Sequence, residues 1–269
     1  MAVSGYPSVR PAGAVILLRE RPGSGAVEIY LVRRHKGASF MSSASVFPGG
    51  SADPGEDDLR VTAARELFEE AGVLFATRAV DAHTRRVWRD ALHAHAPTPA
   101  ELSAALDLNA LHYYARWITP SHSQKRFAAT FYLGVLPAGE EPDIDNKEAV
   151  DGFWVTCEEA LLRSRELRLH PPQVRTFVDM QAAAADGLDA LLRSARARAE
   201  HPHPILPRLA HGKAGITLLL PWDPEYVSAG NGEAIPMPAD HPLAVGASRF
   251  VLEDQTWKPI SAPSSPDAA

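Results

Sequence analysis

Disulfide chemistry is closed to this chain. Cys157 is the only cysteine among 269 residues, so no intramolecular bridge can form and a reducing compartment is the expected setting. The lone thiol carries no catalytic signal of its own. Long apolar runs are missing too: nothing reaches the roughly 20 residues that a membrane-crossing helix needs, and residues 1–10 lack the apolar core of a secretory leader. A cytoplasmic location without a membrane partner is therefore expected. Positive charge is also scarce. The formal net charge is −6, whereas sequence-independent binding to a phosphate backbone requires a basic surface, so no nucleic-acid partner is expected. Internal repeats are absent, and residues 263–269 have the Pro, Ser and small-residue composition of a flexible tail, without a peroxisomal address.

What is present centres on one stretch. Phe47-Pro48-Gly49-Gly50 is followed by Gly55-Glu56 and then by Arg65-Glu66-Leu67-Phe68-Glu69-Glu70-Ala71-Gly72-Val73. On an α-helix, residues three and four apart share a face, so Glu66, Glu69 and Glu70 project three carboxylates toward one region. Carboxylates that close repel one another. A hard dication, Mg²⁺ or Mn²⁺, relieves the repulsion because it takes oxygen ligands and bridges carboxylates to substrate phosphates. Ala64, Leu67 and Ala71 recur on another face and would anchor the helix against a sheet. Gly72 fits a helix stop. Arg65 lies four residues before Glu69, close enough for an ion pair that orients that carboxylate. An exposed helix pair worth only tenths of a kcal/mol is the plainer reading of the same spacing.

This stretch resembles the Nudix box, whose pattern is Gly, five residues, Glu, seven residues, then Arg-Glu-aliphatic-any-Glu-Glu-any-Gly-aliphatic. Residues 65–73 match it throughout; Gly50 and Glu56 are correctly spaced, but eight residues rather than seven separate Glu56 from Arg65, which puts the extra one in the loop or first helical turn around 56–58. The resemblance implies an α/β fold, a mixed sheet sandwiched between helices. It also implies that Glu66, Glu69 and Glu70 are the main metal-binding carboxylates, with Glu56 a further ligand or base and the Gly49 carbonyl another ligand. Phe40-Met41, Arg116-Trp117-Ile118-Thr119-Pro120 and Pro171-Pro172-Gln173 resemble the branch of peroxisomal-type coenzyme A diphosphatases and their bacterial relatives. That branch carries a helical insertion before the Trp-Ile-Thr-Pro segment.

Along the chain, 12–18 and 27–33 read as strands joined by a loop, and a third strand ends at Val46-Phe47, entering a Gly49-Gly50 turn and a helix over 57–71. Asp57 and Asp58 would complement the positive end of its dipole. Residues 77–114 read as a helical insertion, with helices at 80–94 and 99–106. Strands are expected at 116–119, 127–136 and 152–156, helices at 158–165 and 173–198, and strands at 216–220 and 249–252 around a loop-like 221–242. The domain plan is a Nudix hydrolase domain over 10–200, a C-terminal extension over 201–260 and a tail over 261–269. The extension covers an edge of the domain or forms a homodimer contact; composition does not choose between them.

Outside the box, Arg33, Arg34, His35 and Lys36 form the densest basic run, and Arg33, Arg34 and Lys36 are the candidate phosphate-binding residues; Lys125-Arg126 is a second run. Alternation along a strand prevents all of them from facing one ligand. Glu148 stands where several Nudix enzymes place a late glutamate, within a generally acidic 140–151. His201, His203 and His211 lack the spacing of a zinc site. Trp117, Phe131 and Trp154 could stack on a base, although aromatics in strand-like runs more often fill a core.

The function these features imply is Mg²⁺- or Mn²⁺-dependent hydrolysis of a phosphoanhydride in a small nucleotide-derived substrate. Coenzyme A or acyl-coenzyme A is preferred through the branch resemblance, with a dinucleotide or nucleotide sugar as the alternative. A Nudix-fold sensor that binds nucleotides without cleaving them is the rival from another class, which loss of the helical glutamates would favour.

Overall fold

The computed structural model describes residues 7–37, 41–144, 149–212 and 215–262. Its first half runs β1 (Val9–Glu20), β2 (Val27–Arg34), β3 (Ser45–Val46), β4 (Gly49–Ser51), α1 (Leu59–Ala71), α2 (Ala82–His93), α3 (Ala100–Ala105) and β5 (His112–Ile118). Next come β6 (Arg126–Val135), β7 (Ala149–Val155), α4 (Cys157–Leu162), α5 (Pro171–Ala185), α6 (Leu188–Glu200) and β8 (Pro204–Ile205). The last elements are β9 (Arg208–Gly212), β10 (Gly215–Leu219), α7 (Tyr226–Ala229), β11 (Arg249–Glu253) and β12 (Thr256–Ile260).

The main sheet follows the order β3-β2-β1-β6-β5-β8, with β4 also on β1 and β7 also on β2. It is mixed: β1 and β6 are parallel from Val9↔Arg126 to Leu18↔Val135, whereas β1–β2, β1–β4 and β5–β6 are antiparallel. Both faces are covered, which is why β1 and β2 read as continuous apolar runs rather than alternating ones. Val15, Leu17, Tyr30 and Val32 point into a core with α1, α2 and α3; Ala14, Ile16, Leu18, Ile29 and Leu31 point into the opposite core with α4, α5 and α6. The α/β/α layering expected from the sequence is present.

Several elements differ from their expected extents, each for a local reason. The Gly49-Gly50 turn is a short strand, because β2 leaves the N-terminal half of β1's edge open and Gly49–Ser51 pairs there. The single helix expected over 173–198 is two, broken where Gly187 takes φ 93°, a conformation glycine adopts without steric cost. Strand β5 begins at His112 rather than Arg116 and so shortens the insertion, as Tyr113 and Tyr114 suit a pleated surface. Helix α1 begins at Leu59, and Asp58 serves as its N-cap, accepting from the Arg60 N–H.

The C-terminal extension is built on a second sheet, ordered β12-β11-β10-β9. Leu218, Leu220, Met237, Leu243 and Phe250 enter the same core as Ile16 and Phe177, so the extension shares the interior of the α/β/α layers. Arg126 fastens it. That guanidinium, 2% exposed, donates to Glu233 at 2.6 Å and to the carbonyls of Thr119 and Pro7. Arg126 is thus spent on structure and is withdrawn as a phosphate-binding candidate. The tail beyond Ala262 lies outside the described residues. We expect Arg126→Met to lower stability by about 2 kcal/mol, the scale of a hydrogen bond to a charged group. Denaturant midpoints would measure the loss, and hydrogen exchange should rise around Glu233; an unchanged midpoint would refute this role.

Candidate active site

Helix α1 carries the site. It buries Ala63, Ala64, Leu67, Phe68 and Ala71 against the sheet, and this seats the remaining face, with Arg65, Glu66, Glu69 and Glu70, toward β4 and the loop before the helix. Arg65 is 3% exposed. Its Nε donates to Glu56 Oε1 at 2.8 Å, Nη2 to Glu56 Oε2 at 3.1 Å and to the Ser51 carbonyl at 2.9 Å, and Nη1 to Glu66 Oε1 at 2.9 Å. Glu69 Oε2 lies 3.7 Å from Nη1. With Asp53 Oδ2 also 3.7 Å from Nε, Arg65 joins four carboxylates, not one, and it is a buried hub rather than an exposed helix pair.

Glu56 also accepts from the Thr62 hydroxyl at 2.8 Å and the Asp53 N–H at 3.0 Å. Burial pushes its carboxyl up, but Arg65, the Asp53 amide and Thr62 outweigh burial and hold it below the usual carboxylate range. Both oxygens are thus committed to partners within the fold. To ligate a metal, as the resemblance implied, Glu56 would have to surrender them. Eight residues lie between Glu56 and Arg65, with the helix starting at Leu59 behind its Asp58 cap, and the bond from Arg65 to Glu56 still forms.

Strand β4 runs directly beneath the carboxylates. The Gly49 N–H donates to Glu70 Oε2 at 3.0 Å, and a side chain at Gly50 would collide with the Glu66 carboxylate. Glu70 is 3% exposed, and its other oxygen lies 4.0 Å from Arg34 Nη1. Arg34 and Arg33 part company here, as strand alternation requires. Arg33 sits 5.8 Å from the Phe153 ring, on the side of the opposite core, while Arg34 approaches Glu70. Lys36 and His35 are exposed beyond the strand end.

Other candidates are placed differently. Glu148 and Phe40 lie outside the described residues, as does the side chain of His211. Trp117 and Phe131 are core residues, and Trp154 packs on Tyr30 at 5.1 Å and under Arg19 at 4.2 Å, so none is available for stacking on a base. Cys157 is 3% exposed, and burial pushes its thiol up to about 12. An open groove of about 680 Å³ lies between Leu59, Arg116, Tyr132 and His203, at the opposite end of α1 from Glu69 and Glu70.

Carboxylates and a backbone carbonyl are the hard oxygen donors that Mg²⁺ or Mn²⁺ takes. Among the described residues no three His, Cys, Asp or Glu side chains are gathered into a ready-made cage. Mg²⁺ is commonly held by one or two carboxylates together with waters and substrate phosphates, so the donor set at Glu66, Glu69, Glu70 and the Gly49 carbonyl fits such an ion.

Sequence reasoning missed the contacts that reach α1 from the insertion. Arg89 and His93, on α2, contact the Glu69 carbonyl at 3.0 and 3.1 Å. The signal was the four-residue recurrence of Arg85, Arg89 and His93, which marks one face of a helix.

Residues 51–180 match the model of the NUDT19 Nudix domain. The putative nudix hydrolase 7 of Caenorhabditis elegans is 30% identical over 158 residues, covering 54% of this chain and 53% of that protein. The acyl-coenzyme A diphosphatase NUDT19 of Xenopus laevis is 29% identical over 169 residues, 53% of this chain and 44% of that protein. The chain thus spans about half the length of the curated relatives it matches. The crystal structure of a Nudix hydrolase from Alicyclobacillus acidocaldarius superposes with a TM-score of 0.53 at 28% identity, covering 66% of this chain and 93% of that one. A mixed sheet between helices, with a Glu-rich helix packed over a Gly-Gly strand, is in keeping with the likeness of residues 51–180 to the Nudix hydrolase family. The matched span is similar to the NUDT19 type of Nudix domain. Nudix hydrolases generally need divalent metal ions, and among the described residues no helix is long and apolar enough to cross a membrane.

Two outcomes follow from the geometry. Gly50→Ala should fold, because its new Cβ meets the mobile end of Glu66, yet it should cost most of the activity by displacing that carboxylate. Gly49→Ala meets the backbone of Gly13 and Ala14 instead and should fail to fold stably. Circular dichroism with an activity assay separates the two, and a fully active Gly50→Ala would refute the placement. The second outcome concerns pH. The folded pKa of Glu56 is depressed, so its contribution to stability is present above the ordinary carboxylate range and is lost as pH falls through the depressed value. The stability gap between the wild type and Glu56→Gln, followed by urea unfolding, should be widest at neutral pH and close on acidification; a constant gap would refute it.

Proposed function

We propose that this chain is a Mg²⁺- or Mn²⁺-dependent hydrolase that uses water to cleave a phosphoanhydride in a nucleoside-diphosphate-linked compound, with coenzyme A or acyl-coenzyme A as the preferred substrate. The observation that carries this reading is the buried cluster in which Arg65 holds Glu56, Glu66 and Glu69 while Glu70 rests on the Gly49 N–H. The coenzyme A preference is supported by the likeness to the acyl-coenzyme A diphosphatase NUDT19 of Xenopus laevis. A cytoplasmic location is part of the same proposal.

Glu66, Glu69 and Glu70, with the Gly49 carbonyl, would hold the dication, which when bound supplies neutralisation of the phosphate oxygens that otherwise repel a nucleophile. The protein's own groups do the rest. Arg65 fixes Glu66 and Glu69 from behind, and the Gly49 amide orients Glu70. A carboxylate of this cluster takes the proton of the attacking water, whose oxygen bonds to phosphorus as the bridging P–O bond breaks. Arg34, whose buried Nε has no partner within the described structure, offers a guanidinium next to Glu70 for a further phosphate, and Lys36 adds a mobile charge at the rim. On coenzyme A the products are 4′-phosphopantetheine and adenosine 3′,5′-bisphosphate.

A panel of coenzyme A, acyl-coenzyme A, dephospho-coenzyme A, dinucleotides and nucleotide sugars with Mg²⁺ or Mn²⁺, read by mass, tests the substrate. Coenzyme A and its esters should be cleaved best, with dephospho-coenzyme A slower because one phosphate contact is lost. Efficient hydrolysis of another nucleotide pyrophosphate alone would overturn the preference. Glu69→Gln and Glu70→Gln keep size and remove charge, so activity should fall by orders of magnitude in folded protein. Folded variants with wild-type turnover at limiting metal would sink the assignment, and a wild type that binds these compounds uncleaved would favour a sensor.

A further inference from the structure

Glu69 and Glu70 occupy the last turn of α1, where a helix is hardest to hold. The final carbonyls have no intrahelical donor, and the dipole's negative end opposes acidic side chains. Both problems are met from outside the helix. Arg89 Nε donates to the Glu69 carbonyl at 3.0 Å and Nη2 approaches the Glu70 carbonyl at 3.5 Å, while His93 Nε2 lies 3.1 Å from the Glu69 carbonyl. Arg89 Nη2 also donates to the Asp143 carbonyl at 2.5 Å, and the Asp143 N–H donates to the Ala71 carbonyl at 2.8 Å. Gly72, in the left-handed conformation at φ 68°, closes the helix; a Cβ there would come within 3.0 Å of Arg89 Nη1.

Arg85, one turn earlier on α2, does a different task. It donates to the Gly72 carbonyl at 2.8 Å and pairs with Glu140, which itself accepts from the Leu74 N–H at 3.0 Å. These contacts lie past the turn that bears the carboxylates. Trp88 and Leu92 bury the neighbouring stripe of α2 in the core shared with α1, so the helix that presents Arg89 is itself fixed.

We propose that Arg89, assisted by His93, is a positioning residue for the divalent-cation site: by bracing the Glu69 and Glu70 carbonyls it holds in register the turn that presents their side chains. The inference rests on the reading that these carboxylates hold the cation. Without Arg89 the two carbonyls turn to water, the terminal turn frays, and a cation must order the carboxylates as it binds. A planar guanidinium can brace adjacent carbonyls together, whereas an ammonium reaches one.

The test is Mn²⁺ binding to the full chain without nucleotide, read from the electron paramagnetic resonance of free Mn²⁺, alongside kcat, KM and thermal midpoint. Arg89→Gln should weaken Mn²⁺ binding about tenfold, as loss of an outer partner of a metal ligand does. It should lower kcat more than it raises KM. Arg89→Lys should recover part of the affinity, and His93→Phe should give a smaller loss, which also tests the same turn if Arg89→Gln does not fold. Arg85→Gln should lower the thermal midpoint with Mn²⁺ affinity unchanged. Wild-type Mn²⁺ affinity in folded Arg89→Gln, or an equal loss in Arg85→Gln, would overturn the proposal. A wild-type protein that binds no Mn²⁺ and cleaves no phosphoanhydride would instead overturn the hydrolase reading, and this inference with it.

Discussion

The buried guanidinium of Arg65 is what permits so much negative charge in so small a space. Glu56, Glu66 and Glu69 all lie within 4 Å of it, with side chains between 9% and 13% exposed. A carboxylate in such a setting would ordinarily take up a proton, because burial disfavours its charge. Arg65 reverses that balance for Glu56, and its own proton is held more tightly in return, the carboxylates outweighing the cost of burial. Losing one partner of a buried ion pair costs about 3–5 kcal/mol because the other charge is stranded. Here the stranded groups would include the very residues proposed to hold the cation, so stability and chemistry are tied to one side chain.

How the carboxylates meet Gly49 and Gly50 follows from the way β1 shares its edge. β2 pairs with it only from Leu18 to Glu20, and β4 takes the stretch from Ala12 to Ala14. Between them the Val15 N–H donates to the Pro48 carbonyl at 2.9 Å, pinning the chain in the fork. Phe47 locks the same point from the other face, edge-on to Phe131 at 5.5 Å and tilted against Phe177 at 5.9 Å. A backbone held so firmly can present its amide to Glu70 without reorganising, and that is the form of preorganisation a charged site needs.

The box was legible in the sequence because its information is local. Spacing along one helix decides which side chains share a face, and Ala64, Leu67 and Ala71 are buried as that spacing requires. Glu56 shows where local reading ends: the extra residue before Arg65 looked like a break in register, yet the carboxylate still reaches its partner across it. Arg126 shows the same limit. Next to Lys125 it reads as surface charge, and only the fold brings it to Glu233, 107 positions away. Strands β9 and β12 went unforeseen since proline and polar residues mask short edge segments whose pairing, not composition, defines them.

Two acidic residues at a helix C-terminus are a local conflict, and natural folds tolerate such conflicts where function needs them. The compensation cannot come from α1 itself, since its last turn has no basic residue. It comes instead from α2 and from the segment around Glu140 and Asp143, which are distant in sequence and belong to the parts of the chain that vary most easily in length. A helical insertion is therefore not an ornament on this domain. From its four-residue stripe Arg89 and His93 meet the carbonyls that the acidic turn leaves open, while Arg85 holds the Gly72 carbonyl beyond it, so the geometry of the carboxylates depends on packing that the box alone does not encode.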